Sequence, residues 1–428
     1  MVIAASAIYN CRFILLDKLH RASACSRTVG DLLRGAVRLI GVVVGLFAAF
    51  GAAAHTAVLA NEKAAYVLPD LGFNGSSCPS SYTVEQVANS IGPSHGVSAL
   101  GADSALVAYF GQGKLSRVRV SDRTTLNILD LANLGYGGYG TVAVAPTQSH
   151  ALAADGASVY VIPSPFDGAG VSKLNLPGNV LAADTQAIAF DAQGRAFVAH
   201  TGGVSVILPP YTSVAFTMPR VAEVGLVFQH NVAVTPDGGK VLVTNDNKVL
   251  IYSAPLSQSS VPEILAAPLE DSYALDGIAL LPDGTKAIVT ITEPRNSRVA
   301  VISAPFNSSS TFDFISLPRR ADGPYFQGFE DVSVSADGRY ALVTGQLQGN
   351  DPLMLIKGPF TSAGATVCPI PIPGGRGAGA ARFLPPNVVT ETLSVPSVPL
   401  RGSVLLIAML AAIGCYLMTV QRNGSRDS

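Results

Sequence analysis

Residues 232–256 read VAVTPDGGKVLVTNDNKVLIYSAPL, three apolar runs separated by a Pro-Asp-Gly turn and an Asn-Asp-Asn turn and stopped by a proline. Nearly the same sentence returns as DGIALLPDGTKAIVTITEPRNSRVAVISAPF and as DVSVSADGRYALVTGQLQGNDPLMLIKGPF. Recurrence at a fixed period means that one supersecondary unit is stacked on copies of itself, which removes most folds from consideration. The first run recurs as VSALGAD, TVAVAPTQ, AIAFDAQG, VAVTPDGG, IALLPDGT and VSVSADGR. These start at Val97, Thr141, Ala187, Val232, Ile278 and Val332, about 45 residues apart with one longer interval before the last. An incomplete seventh copy, GAARFLPP, starts at Gly379.

Each unit is made of short runs rich in β-branched residues and bounded by Asp-Gly or Gly-rich turns, the pattern of strands. The second run reads ALVAYF, HALAAD, AFVAHT, VLVTND, AIVTIT or ALVTGQ. The third ends on a shared stop in VYVIPSPF, VSVILPPY, VLIYSAPL, VAVISAPF and LMLIKGPF, where a proline that cannot donate to a ladder closes the strand. After a variable polar loop comes a fourth, shorter run, as in VSKLNLPG, VAFTMPR, PEILAAP, FDFISLPR and TVCPIPIP. Four strands per unit of this length form the blade of a β-propeller. The Pro-Phe, Pro-Tyr and Pro-Leu stops are expected to pack into seams between blades rather than to form an exposed stripe.

A blade cannot bury both faces alone, so the ring must close, and a partial last unit must be completed from the other end of the chain. GAARFLPP offers only a first strand, and KAAYVLPDLGFNG near the N-terminus resembles the third strand VYVIPSPFDGAG. Joining them makes the seventh blade. The expected fold is therefore all-β, a seven-bladed propeller over residues 61–390, ahead of a ring of six or eight.

The two ends read differently. Arg34 and Arg38 precede the apolar stretch LIGVVVGLFAAFGAAA, which small residues follow with cleavage sites after Ala54 or Ala60, so residues 1–60 read as a leader; a first membrane helix is the alternative. Residues 391–403 are a Pro/Ser-rich stalk. Residues 404–420, VLLIAMLAAIGCYLMTV, carry no charge and have about the minimum length for a helix spanning a ~30 Å hydrocarbon core, and Arg422 in the tail 421–428 favours a cytoplasmic C-terminus. A hydrophobic fraction of 48% against 13% charged residues agrees with a chain that has apolar ends and doubly buried strands. The order of Val-Pro, apolar helix and terminal Arg resembles the C-terminal sorting signals of IPTL-CTERM and PEP-CTERM type. That resemblance implies an exosortase-like processing protease; here the basic cluster is reduced to Arg422 and Arg426 and no Trp is present.

Cys11 and Cys25 fall in the leader and Cys415 in the terminal helix, leaving Cys78 and Cys368 in the middle of the chain. Neither sits in a C-x-x-C spacing, and both flank the joint of the ring. They are expected to form a disulfide, with two buried thiols as the alternative. Chain-entropy arguments assign so long a loop roughly 4 to 5 kcal/mol at most.

The first strand of each blade lines the channel. The position just before it reads Gly96, Gly140, Gln186, His230, Asp276, Glu330 and Gly379 around the ring, and Asp331 adds a second carboxylate beside Glu330. His230, Asp276 and Glu330 could serve as ligands for a hard cation such as Ca²⁺, or as a general base pair for lactone hydrolysis. Equally, polar groups at a wet channel mouth need no ligand. G-x-S-x-G, H-E-x-x-H, Walker and C-x-x-C-H motifs are absent, and LGYGGYG at 134–140 has no helix after it to make a phosphate cradle. His150 and His200, in or beside second strands, are expected to be packed rather than ligating. A net charge of −1 with no basic run in the middle gives no electrostatic basis for nucleic-acid binding.

The V-T-P-D-G-x-x-V-L-V-T-N core at 234–245 resembles the repeat of YVTN-type and lactonase-like seven-bladed propellers. The resemblance implies the fold; members of this kind include surface proteins, sensors, lactone hydrolases and dehydrogenase subunits, so it does not choose a function. Two expectations follow. The first is an exported, membrane-anchored module at the cell envelope or surface that binds a protein or polysaccharide. The second is a lactonase-like or metal-dependent hydrolase with its site at the channel mouth.

Overall fold

The computed structural model describes residues 55–386, apart from residues 62, 74, 91–93, 110, 138–140, 178–186, 221–228, 270–273, 293–297, 319–328, 346–352 and 374–377. The leader through residue 54, the stalk, the 404–420 segment and the tail lie outside the described residues. Among the described residues no helix is long and apolar enough to cross a membrane.

Seven four-stranded antiparallel sheets follow one another along the chain. Blade 4 shows the unit: Gln229–Val234, Lys240–Asn245, Lys248–Ser253 and Glu263–Ala266, each strand hydrogen-bonded to the next. The first strands of successive blades contact one another all the way round, so they line the axis and the ring is closed.

The Pro-Asp-Gly turns explain why the first two strands meet in one register. In blade 4 the Thr235 N–H donates to Lys240 O (3.0 Å) and the Gly238 N–H to Thr235 O (2.7 Å). The Thr235 hydroxyl donates to Asp237 Oδ1 (2.6 Å) and accepts the Lys240 N–H (2.9 Å). Gly238 has φ +68°, the left-handed conformation that a side chain would resist. Ser335, Asp337 and Gly338 (φ +67°) repeat this arrangement in blade 6.

Second and third strands read as unbroken apolar runs because both of their faces are buried. Val241 and Val243 pack toward blade 3, while Leu242, between them, packs toward blade 5 with Leu275, Val289 and Ile302. Fourth strands face water on the rim, and their burial is accordingly mixed. Hydrophobic burial thus resides in seven seams rather than one centre. The proline stops follow cis peptides at Pro165, Pro210, Pro255, Pro305 and Pro359. The aromatic residues that come next, Phe166, Tyr211, Phe306 and Phe360, are each at most 3% exposed and enter the seam with the preceding blade. The seam packing expected of these stops is what the fold shows.

Blade 7 is assembled from both ends of the chain, in the order Ala378–Phe383, Ala57–Asn61, Ala65–Leu68 and Glu85–Gln86. The first and third strands are those expected. The second, AVLAN, is a correction to the boundary at 61: residues 57–60 belong to the sheet rather than to the leader, and Ala57↔Phe383 through Ala60↔Ala380 pair across it. All five residues of this strand are fully buried, because the strand lies between two others and between two neighbouring blades. Cleavage after Ala60 would remove it.

The seam between blades 6 and 7 is bound by more than apolar contact. Cys78, in the long segment between the third and fourth strands of blade 7, forms a disulfide with Cys368 in the fourth strand of blade 6, with Cα atoms 5.5 Å apart. The Tyr340 hydroxyl donates to Phe73 O (2.6 Å) and accepts the Phe73 N–H (2.9 Å). His55 Nε2 lies 2.9 Å from Asp337 Oδ2.

A chain beginning at Asn61 is expected to lose cooperative folding, whereas one beginning at His55 should melt within a degree or two of the full-length protein. Circular dichroism melting of the two truncations checks this; equal melting would show that AVLAN is dispensable.

Candidate functional site at the channel mouth

In blades 1 and 4 to 7 the ladder slips at the start of the innermost strand. Pairing with the second strand shifts between Gln229 and Asn231 in blade 4, Leu275 and Ile278 in blade 5, and Phe329 and Asp331 in blade 6. The extra residues are His230, Asp276 and Glu330. A β-bulge inserts one residue that no partner faces and bends the strand, a device that recurs beside functional sites. Three of the residues expected at the mouth therefore occupy one register position on three adjacent blades.

A threonine of the second strand holds the bulge. Thr244 Oγ1 accepts the Asn231 N–H (3.0 Å) and donates across the seam to Asp276 O in blade 5. Thr290 Oγ1 accepts the Gly277 N–H (2.7 Å). This accounts for the Val-Thr of VLVTND and AIVTIT; the Thr344 hydroxyl at the same position in ALVTGQ is buried but makes no such bond. The half-buried Asp276 has its Oδ2 3.5 Å from Thr292 Oγ1.

Blade 1 requires a correction. Its ladder slips between Ser94 and Gly96, so His95, not Gly96, is the counterpart of His230. The signal was present in the sequence: His230, Asp276 and Glu330 each stand two residues before the first apolar residue of the run, as His95 stands before Val97. The slip in blade 7 leaves Gly379, as expected. Gln186 and Gly140 lie outside the described residues, and of His95, His230 and Glu330 the backbone alone is described.

Asp331 does not join the bulge positions. It is 8% exposed, its Oδ1 accepts the Val332 N–H (2.9 Å), and its Oδ2 accepts from Arg382 Nη1 of blade 7. Arg382 stands where other blades carry small residues such as Ala233 and Ser333. Sequence reading missed it because it lies inside the fragmentary seventh copy. With both oxygens engaged, Asp331 is a strut of the 6–7 seam and a poor candidate for a metal ligand. Among the described residues no three His, Cys, Asp or Glu side chains are grouped to hold a metal.

The two histidines of the second strands are packed, as expected. His150 stands edge-on to Tyr211, with ring centroids 5.2 Å apart. His200 is fully buried; its Nδ1 accepts the Gly202 N–H (3.1 Å), which leaves Nε2 to donate to Ser205 Oγ (2.8 Å), itself 2.9 Å from Thr217 Oγ1. Burial pushes the His200 pKa down to about 4.

These features define a seven-bladed propeller with polar bulge residues at one end of its channel. No protein-family model and no curated protein sequence matches the chain. Solved structures share its fold at 12% identity. A periplasmic gluconolactonase of Pseudomonas aeruginosa has a TM-score of 0.58 over 77% of this chain and 99% of its own. A protein from Lactobacillus plantarum has 0.57 over 77% and 99%, and a functionally unknown protein from Desulfotomaculum acetoxidans has 0.55 over 78% and 99%.

Arg382→Met is expected to cost about 2–3 kcal/mol in urea unfolding, since it leaves the Asp331 carboxylate buried without its cation; Arg382→Met/Asp331→Asn should recover most of that. An unchanged midpoint for the single variant would show that the pair contributes nothing. His200 gives a pH signature. Below pH 6.5 the unfolded chain takes up a proton that the folded one refuses until about pH 4. Its contribution is therefore complete above pH 6.5 and is lost as the pH falls toward 4, by on the order of 3 kcal/mol. Unfolding curves of His200→Asn should lack this step.

Proposed function

We propose that the protein is an exported module that presents the loops of a rigid propeller to a protein or polysaccharide at the cell envelope, held to the membrane by its 404–420 segment. The observation that carries this reading is the Cys78–Cys368 disulfide across the joint of the ring, since such a bridge persists in oxidising compartments outside the cytosol. The buried strand Ala57–Asn61 sets the leader's limit: cleavage after Ala54 leaves the ring whole, and cleavage after Ala60 does not. In this reading an exosortase-like protease acts on the C-terminal signal, beyond the propeller.

A second reading is a lactonase-like or metal-dependent hydrolase. It is favoured by ionisable residues at one bulge position in four blades, His95, His230, Asp276 and Glu330, with Ca²⁺ as the hard cation these groups would suit. The periplasmic gluconolactonase of the same fold adds a substrate class to test.

The triple variant His230→Ala/Asp276→Asn/Glu330→Gln separates the two. In the first reading wild type and variant bind isolated envelope material equally, and Ca²⁺ shifts the melting of neither. One tightly held ion per chain in elemental analysis, or δ-lactone hydrolysis abolished by the triple variant, would replace the first reading with the second.

A further inference from the structure

At the other end of the ring, where first strands turn into second strands and third strands run into their proline stops, neighbouring blades leave grooves. The groove between blades 4 and 5, about 440 Å³, is lined by Asp237, Lys240, Asp283 and Pro305 among others. The next groove, about 380 Å³ between blades 5 and 6, is lined by Leu281, Lys286, Arg339, Lys357 and Pro359 among others, and among the described residues no carboxylate lines it.

Because the two grooves are built from copies of one unit, each position in one has a counterpart in the other. Arg339 stands where the earlier blades have Gly239 and Thr285, and Lys357 stands where they have Ser253 and Ser303. Two cations thus replace small residues in the 5–6 groove, beside a lysine that both grooves share, as Lys240 and Lys286. Among the described residues Arg339 and Lys357 are not taken up by acids. Lys286 Nζ donates to Phe360 O (2.8 Å), and Lys357 Nζ donates to Gly75 O (2.7 Å) and lies over the Phe73 ring. Arg339 lies beside the Tyr340 ring. Of the nearby carboxylates, Asp337 accepts from Ser335 and pairs with His55, while Asp283 and Asp313 lie within electrostatic reach of Lys286 and offset part of its charge.

We propose that the 5–6 groove binds a carboxylate-bearing glycan, a chain of uronate type. Carbonyl and ring partners leave the Arg339 and Lys357 charges without an acid among the described residues, so an anion gains from both, and the Arg339 guanidinium fork matches a carboxylate. The exposed Pro359 ring offers an apolar floor for the face of a sugar. This assignment rests on the envelope-module reading and names the partner's chemistry.

The experiment is titration of the full-length protein with fluorescent tetragalacturonate, with a neutral galactan oligosaccharide and an oligoglutamate peptide as parallel probes. The expected result is tetragalacturonate binding that weakens with salt and falls roughly tenfold or more in Arg339→Thr/Lys357→Ser, which installs the residues of blade 5. Lys240→Gln, in the neighbouring groove, should leave it unchanged, and melting temperatures confirm that both variants fold. No binding by wild type, equal binding of the neutral probe, or binding indifferent to the double variant would overturn the proposal. Tighter binding of oligoglutamate would overturn the glycan assignment in favour of an acidic protein partner. Binding of envelope material that survives the double variant would leave the module reading standing while removing this groove from it.

Discussion

Everything in this fold depends on the burial of both faces of every blade against its neighbours. A second strand such as Lys240–Asn245 sends Leu242 to one seam and Val241 and Val243 to the other, so a blade without a neighbour would expose half its apolar side chains to water. A ring is the arrangement with no unpaired face, and it exists only if blade 7 is completed. That requirement explains why the chain concentrates its cross-links at the 6–7 seam, where strands from the two ends meet. The seam combines an apolar cluster that includes Leu59, Leu68, Tyr340 and Leu355 with the disulfide, the Tyr340–Phe73 hydrogen bonds and the Arg382–Asp331 pair.

The architecture was legible because the same constraint writes itself into sequence seven times. Doubly buried strands appear as unbroken β-branched runs, the Asp-Gly turns supply the left-handed residue that the hairpin needs, and the proline stops place an aromatic in the preceding seam. Ala57–Asn61 was not legible, because small apolar residues meet the needs of a leader's exit and of a strand packed on both faces alike. His95 was obscured by one residue, since a bulge breaks the alternation on which an alignment of strands rests. Arg382 was hidden by the seventh copy being a fragment without a second strand beside it in sequence.

The two ends of the ring differ in what they can do. At the bulge end the chemistry turns on His95, His230 and Glu330, which the strand register places but does not orient. At the groove end blades 4 to 6 present tight hairpins fixed by hydrogen bonds beside their proline stops, so their side chains are held on rigid supports. The proposed recognition of an extended ligand would use a face that differs from seam to seam in charge but not in backbone, whereas the hydrolase reading needs convergent groups around one reacting atom.

Repetition also supplies an internal reference. Where copies share a residue for a structural reason, as VLVTND and AIVTIT share the Thr that holds the bulge, its presence says nothing about a ligand. Departures from the copy carry the information, and they are of two kinds. Arg382 departs from the small residues at its position and is answered by Asp331, so a seam accounts for it. Arg339 and Lys357 depart from Thr285 and Ser303 and are answered by no carboxylate among the described residues, while seams elsewhere in the ring form without them. The packing of the ring therefore explains the first departure and part of the second, since Lys357 reaches Gly75 O and the Phe73 ring of blade 7, and it leaves the Arg339 guanidinium without an acidic partner among the described residues.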